Sequence, residues 1–241
     1  MAPVEKDGFM SYPIADRRPV AALADQDRAE FLGRVYSHLT MAVGVFIALE
    51  TALFMGGMAE WLYNALAGSR AGWLLILGGF MIVSWMATSA ANDILNPQKQ
   101  YLGLFAMAFA EAIIFAPFLF FVFTVRGAGT VVSAAVITLV GFAGLTAVGL
   151  LTRKDLSFVR PMLLWGGMLA LVAIFGALVF GFELGTWFSV AMIGLAGGSI
   201  LYNTQNIMRR YPSGAYVGAA LQLFASLMMM FWYVLRLLAR R

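Results

Sequence analysis

Asn203, Thr204, Gln205 and Asn206 stand in a row near the end of an apolar stretch, and Arg209 and Arg210 follow them. Amides and hydroxyls in such a place either fray a helix end at a membrane surface or hold hydrogen bonds inside hydrocarbon. On a helix Ser199, Asn203 and Asn206 fall at i, i+4 and i+7 and share one face. In the last apolar stretch Gln222, Ser226, Met229 and Tyr233 repeat that spacing. Polar stripes on consecutive helices hydrogen-bond across a bundle, each bond contributing about 0.6–2 kcal/mol. Two readings stand side by side: ordinary interhelical contacts, and a functional polar cavity.

Two carboxylates lie in apolar surroundings as well. A charge at mid-membrane costs several kcal/mol, so such groups face a cavity, meet a partner or carry a proton. Glu50 sits toward the far end of its stretch, where a rim carboxylate and an interior one are both open. Glu111, in "AFAEAIIFAP", is deeper, and Pro117 six residues on frees a backbone carbonyl and can kink the helix beside it. Glu111 is expected to line a polar interior. His38, one turn into the first stretch, reads as an interfacial hydrogen-bonder rather than a proton relay.

Enzymatic chemistry finds no support. The sequence has no P-loop, G-x-S-x-G, H-E-x-x-H or dinucleotide fingerprint. It has no cysteine and one histidine, which leaves neither a thiol nor a His-rich metal cluster. No enzyme, cofactor or metal site is expected.

The elements that hold these residues follow from composition. Of the 241 residues 62% are hydrophobic and only 12% charged, about half the charge with which a soluble domain covers its surface. Mean hydropathy is +0.85. Lipid must cover most of the surface, and the expected fold is an all-α, polytopic membrane protein. A span needs about 20 mostly apolar residues. Seven stretches qualify: Val35–Met58, Gly72–Ala91, Tyr101–Val125, Thr130–Thr152, Met162–Phe182, Leu184–Met208 and Ala215–Leu238. Short connections make neighbours antiparallel in one bundle. Gly194 and Gly198, at i and i+4, and the "WGGMLALVAIFG" stretch permit close backbone approach.

Residues 1–33 read as a polar tail without the apolar core of a signal peptide, and residues 34–241 as the transmembrane domain. Within the tail, "ADQDRAEFLGR" forms an amphipathic lead-in with Asp25 or Asp27 as cap. The net charge of +4 sits at the ends of apolar runs, which fits membrane orientation better than nucleic acid. With the N-terminus inside, eleven cations (Lys6, Arg17, Arg18, Arg28, Arg34, Lys99, Arg153, Lys154, Arg160, Arg209, Arg210) face the cytoplasm. Five (Arg70, Arg126, Arg236, Arg240, Arg241) lie opposite. Seven crossings then put the C-terminus outside, against which "RLLARR" raises a competing topology with a re-entrant last segment.

Three pieces carry a resemblance: "LTRKDLSFVRPML" (Leu151 to Leu163), "ILYNTQNIM" (Ile200 to Met208) and "ALQLFASLMMMFWYVLRLL" in the last stretch. With them the chain resembles the Bax inhibitor-1 (TMBIM, UPF0005) family, and within it a bacterial YccA-like branch, over nearly everything after about residue 30. The resemblance implies a seven-helix bundle in a bacterial inner membrane and a partner such as an FtsH-like membrane protease. Many members carry one aspartate in a "Y-D-T-Q" motif and a second in the last span, a proton-sensitive latch over a calcium-leak pore. The matching positions here are Asn203 and Ser226, neither of which titrates. Gln205, Asn206 and Gln222 belong to the same implied polar patch. The resemblance leaves two functions in view: a regulatory or accessory membrane subunit, and a cation leak that relies on Glu111 or Glu50.

Overall fold

A chain that crosses hydrocarbon has to satisfy its backbone polar groups within itself, and helices do so segment by segment. The computed structural model describes residues 18–152 and 154–240. Within them run α1 (Asp25–Met55), α2 (Met58–Leu66), α3 (Arg70–Ala91), α4 (Pro97–Arg126), α5 (Ala128–Leu151), α6 (Val159–Phe180), α7 (Thr186–Arg210) and α8 (Tyr216–Ala239). Among the described residues no strand is present beyond an isolated bridge between Pro19 and Pro212. Six helices, α1, α3, α4, α5, α6 and α8, are long and apolar enough to cross a membrane. The chain is thus an all-α, polytopic membrane protein. The expected seventh span is α7, long enough with its 25 residues but kept from that apolar group by the amides and arginines of its second half.

Two sets of contacts define the ends of the bundle. At one end the Val20 amide donates to the Tyr211 carbonyl and the Ser213 amide to that of Arg18. There the His38 ring also meets Tyr101 and Tyr216. At the other end Phe54 meets Phe123, Arg126 donates to the Ala239 carbonyl, and Arg236 donates to that of Leu184. Seven helices, α7 among them, therefore run from end to end. Because α8 starts beside His38 and finishes beside Arg126, its described C-terminal arginines, Arg236 and Arg240, do not turn back, and the re-entrant topology is excluded for the described part of the segment.

The first connection departs from expectation. The stretch Val35–Met58 does not end at Met58: Gly57 adopts φ 70°, a left-handed conformation that stops α1 and starts α2. Ala59, Leu62 and Leu66 of α2 are buried at helical spacing, so a short amphipathic helix occupies what the sequence reads as a plain linker. At the start of α1 the cap is Ala24, without a side-chain bond; Asp25 and Asp27 lie one step inside, in the first turn. Neither is the cap, because their carboxylates complement the helix dipole there, and Asp25 pairs with Arg28 at 3.5 Å. The lead-in is one helix with the first span. The tail expected before residue 18, with Lys6 and Arg17, lies outside the described residues, as do Arg153 and Arg241.

The core is built around α8. Leu221, Leu223, Phe224 and Leu235 are almost wholly enclosed, and α1, α4, α5 and α7 all pack on this helix. An aromatic layer crosses the middle: Phe115 lies edge-on to Phe46 at 5.3 Å, flat against Phe231 at 5.5 Å and edge-on to Trp232 at 4.9 Å. By contrast α6 packs on α7 and α3 rather than on its predecessor α5, and Trp165, Met168, Leu169 and Val172 are exposed to lipid. Of the expected glycine contacts, Gly198 abuts Leu163 of α6, but Gly194 meets nothing; Gly197 instead faces Leu145 and Met230.

The tightest helix pair is α3 with α4. A Cβ at Gly103 would lie 2.5 Å from the Ala87 carbonyl oxygen and 2.7 Å from the Ala91 amide nitrogen. Both neighbours are backbone and cannot yield cheaply. Gly103→Ala is expected to lower stability by about 1–3 kcal/mol, the usual cost of overpacking. Gly33→Ala, at an open helix position, is expected to be neutral or slightly stabilising. Thermal unfolding of both variants in detergent checks this, and an unchanged midpoint for Gly103→Ala contradicts it.

Candidate functional site

The two polar stripes meet at one point. The Asn203 amide nitrogen donates to Ser226 Oγ at 3.0 Å, and the Ser226 hydroxyl donates to the Gln222 carbonyl one turn back at 2.9 Å. Ser226 is buried and Asn203 half-buried. The hydroxyl accepts from one helix and donates to its own, so it is engaged on both sides. No member of this contact titrates. Gln222 contributes through its backbone carbonyl.

Gln205 does something the sequence did not suggest. Its side chain is buried and turned away from α8, toward the connection between α5 and α6. Oε1 accepts from the Leu156 amide at 2.7 Å, and Nε2 donates to the carbonyls of Lys154 at 2.6 Å and Thr152 at 3.3 Å. These backbone groups follow the last turn of α5 and have no helical partner. Gln205 is therefore a loop clamp and no part of the Asn203–Ser226 contact. Asn206 lines a small cavity of about 10 Å³ beside the clamp, with Asp155, Ser157, Tyr202 and the two arginines. Two of the three sequence pieces that carry the resemblance, the "TRKDLSF" loop and the "NTQNI" helix end, thus meet in one physical contact. Nothing in their composition separately reveals it.

Asp155 orders the same loop. It accepts from the Ser157 amide at 3.0 Å and lies 3.9 Å from both Arg209 and Arg210. The Ser157 amide first, then Arg210 and Arg209, hold its carboxyl below the ordinary aspartate value. A carboxylate depressed in this way contributes stability above its unfolded pKa and loses it as pH falls through the folded one. Its contribution to the loop is therefore complete at neutral pH and fades only in strong acid.

The interior carboxylates take separate positions. Both Glu50 and Glu111 are buried, and the two Glu50 carboxyl oxygens have no hydrogen-bond partner among the described residues. Glu50 lies one turn beyond Phe46, and Glu111 one turn before Phe115. Since those rings touch on helices that run the same way, the carboxylates stand on opposite sides of the aromatic layer. Eight residues of rise separate them by about 12 Å along the axis. Ser226, five residues before Phe231, shares the Glu111 side.

His38 closes the end of the bundle that holds the loop clamp. Its Nδ1 lies 2.7 Å from the Arg34 carbonyl, which only accepts, so Nδ1 carries the hydrogen. Nε2 lies within hydrogen-bond distance of the Tyr101 hydroxyl, at 3.0 Å. The residue joins α1 to α4 as an interfacial hydrogen-bonder. Among the described residues no three His, Cys, Asp or Glu side chains converge on a metal-sized space.

Removing the clamp tests its structural weight. Gln205→Ala removes a partner from three backbone groups, of which the Lys154 carbonyl keeps Arg209 at 3.5 Å, and each group left unsatisfied costs about 1–3 kcal/mol if it stays buried. Water entering the opened loop offsets part of that. The expected result is faster tryptic cleavage at Lys154, with Asn206→Ala as the variant that leaves the rate unchanged. Equal cleavage of Gln205→Ala and the parent chain contradicts the clamp.

No curated protein matches the chain. A family model does, described as inhibitor of apoptosis-promoting Bax1, over residues 28–241, from the first turns of α1 through the whole of α8. With the helix-end motif, the clamped loop and every membrane-spanning helix inside that match, the chain belongs to the Bax inhibitor-1 family.

Proposed function

We propose that this chain is a regulatory or accessory subunit of a bacterial inner membrane, of the YccA-like kind. In this reading it binds a membrane protease of the FtsH type, or another membrane complex, through its lipid-facing helices and cytoplasmic tail. Its N-terminus lies inside, as the excess of cations at the α1 start suggests. It carries no catalytic step. The observation that carries the proposal is the Asn203–Ser226 hydrogen bond. Two carboxylates in such a contact cannot both ionise at close range, so protons hold or release them. An amide and a hydroxyl keep the same helices together at every pH. A latch without acids has no proton switch and suits a constitutive scaffold. The outward faces of α6 and α3, with Trp165, Val172, Leu75 and Trp85 exposed, provide the area that a membrane partner would cover.

Affinity purification from native membranes in mild detergent is the direct test. The expected outcome is co-purification of a large membrane protein; recovery of the chain alone speaks against the proposal.

Burial of Glu50 and Glu111 favours the second reading, a cation leak in which Glu111 faces the permeation path. Calcium flux into proteoliposomes between pH 6 and 8 separates the two. We expect little flux and no steep pH dependence. Flux that varies steeply with pH and disappears in Glu111→Gln decides for the channel. Placing aspartates at both positions, Asn203→Asp with Ser226→Asp, is expected to add a pH-dependent step to thermal unfolding that the parent chain lacks.

A further inference from the structure

We propose that the outer ends of α3 and α6 form a binding site for one glycerophospholipid, with its phosphate on Arg70 and an acyl chain laid in a groove of α6. Here "outer" means the bundle end away from the loop clamp. Four described arginines stand at that end, and three are already committed. Arg126 donates to the Ala239 carbonyl, and Arg236 and Arg240 both donate to that of Leu184. Arg70 differs: among the described residues it has no hydrogen bond and no carboxylate partner. Its guanidinium lies over the end of α6, filling the space a Cβ would take at Gly181. Gly181, at φ 78°, is the residue that stops α6, so the cation is held at the exit of that helix.

Directly beneath it the α6 surface is concave. Leu171, Val172, Phe175, Gly176, Val179 and Phe180 line an apolar groove of about 390 Å³. From Leu171 to Phe180 the groove runs about 14 Å along the helix, with its upper end next to Gly181 and the guanidinium. Gly176 adds no side chain to this lining. Trp187, 84% exposed in the first turn of α7, marks the headgroup level, where amphipathic rings collect. An unpaired cation at the headgroup level above an apolar trough matches an anionic headgroup joined to a chain. Neither free phosphate nor a neutral lipid uses both parts.

Native mass spectrometry of the full chain in detergent, titrated with phosphatidylglycerol, reads the site. Phosphatidylglycerol is expected to bind more tightly than diacylglycerol of the same chains, and inorganic phosphate alone is expected not to compete. Arg70→Gln should weaken binding about fivefold, what one interfacial cation contributes, and Arg70→Lys should restore most of it. Gly176→Leu should weaken it comparably by filling the groove. The added Cβ meets only the Phe182 ring, at 3.5 and 3.6 Å, an ordinary contact, so the helix tolerates it. Gly167→Leu, one groove-length away with nothing within 4 Å, should bind like the parent chain. Equal affinity for phosphatidylglycerol and diacylglycerol overturns the proposal without any variant. So does binding that survives both Arg70→Gln and Gly176→Leu, or displacement by inorganic phosphate.

Discussion

Hydrocarbon offers nothing to an amide, and this shapes the bundle more than any other constraint. The second half of α7 carries Asn203, Thr204, Gln205 and Asn206 within four residues, so it cannot present itself to lipid on every side. Two of its amides turn to places where partners exist, while the Thr204 hydroxyl is buried with no hydrogen-bond partner among the described residues. Asn203 reaches α8, and Gln205 reaches the loop after α5. With α7 held on one flank and α1, α4 and α5 on the others, α8 becomes the enclosed centre of the molecule. The least apolar long helix thereby organises the most buried one.

Asn203, Ser226, Gln205 and the backbone groups they serve hold no titratable proton. Asp155, the charged member of the neighbourhood, is ionised well below neutral pH because an amide and two arginines favour its charge. Glu50 and Glu111, which do titrate, are kept apart by the layer of Phe46, Phe115, Phe231 and Trp232. About 12 Å along the helix axis separates their positions, which is beyond direct hydrogen-bond contact.

The periphery follows from the centre. Once α8 has collected α1, α4, α5 and α7, α6 is left with α7 and α3 as its supports, and its large apolar side chains face outward. In water such a surface would drive association; in a bilayer it is solvated by acyl chains.

Membrane residence, the helical class and the seven long helices were readable from apolar runs of about 20 residues, because hydrocarbon thickness is a one-dimensional constraint on the chain. That polar stripes of α7 and α8 can face each other was readable from i, i+4 spacing, and the resemblance singled out Asn203 and Ser226 within them. The short α2 was concealed by the apolar residues around it, and its only signal was the Gly56–Gly57 pair that ends α1. Which amide serves which partner was decided by tertiary structure. Gln205 and Asn206 look equivalent in sequence, yet a rotation of about 100° per residue aims one at the loop backbone and leaves the other beside a small cavity. The aromatic layer between the two glutamates, the left-out position of α6 and the seat of Arg70 over Gly181 likewise depend on which helices become neighbours. That choice follows from packing among all seven long helices together, which no single segment encodes.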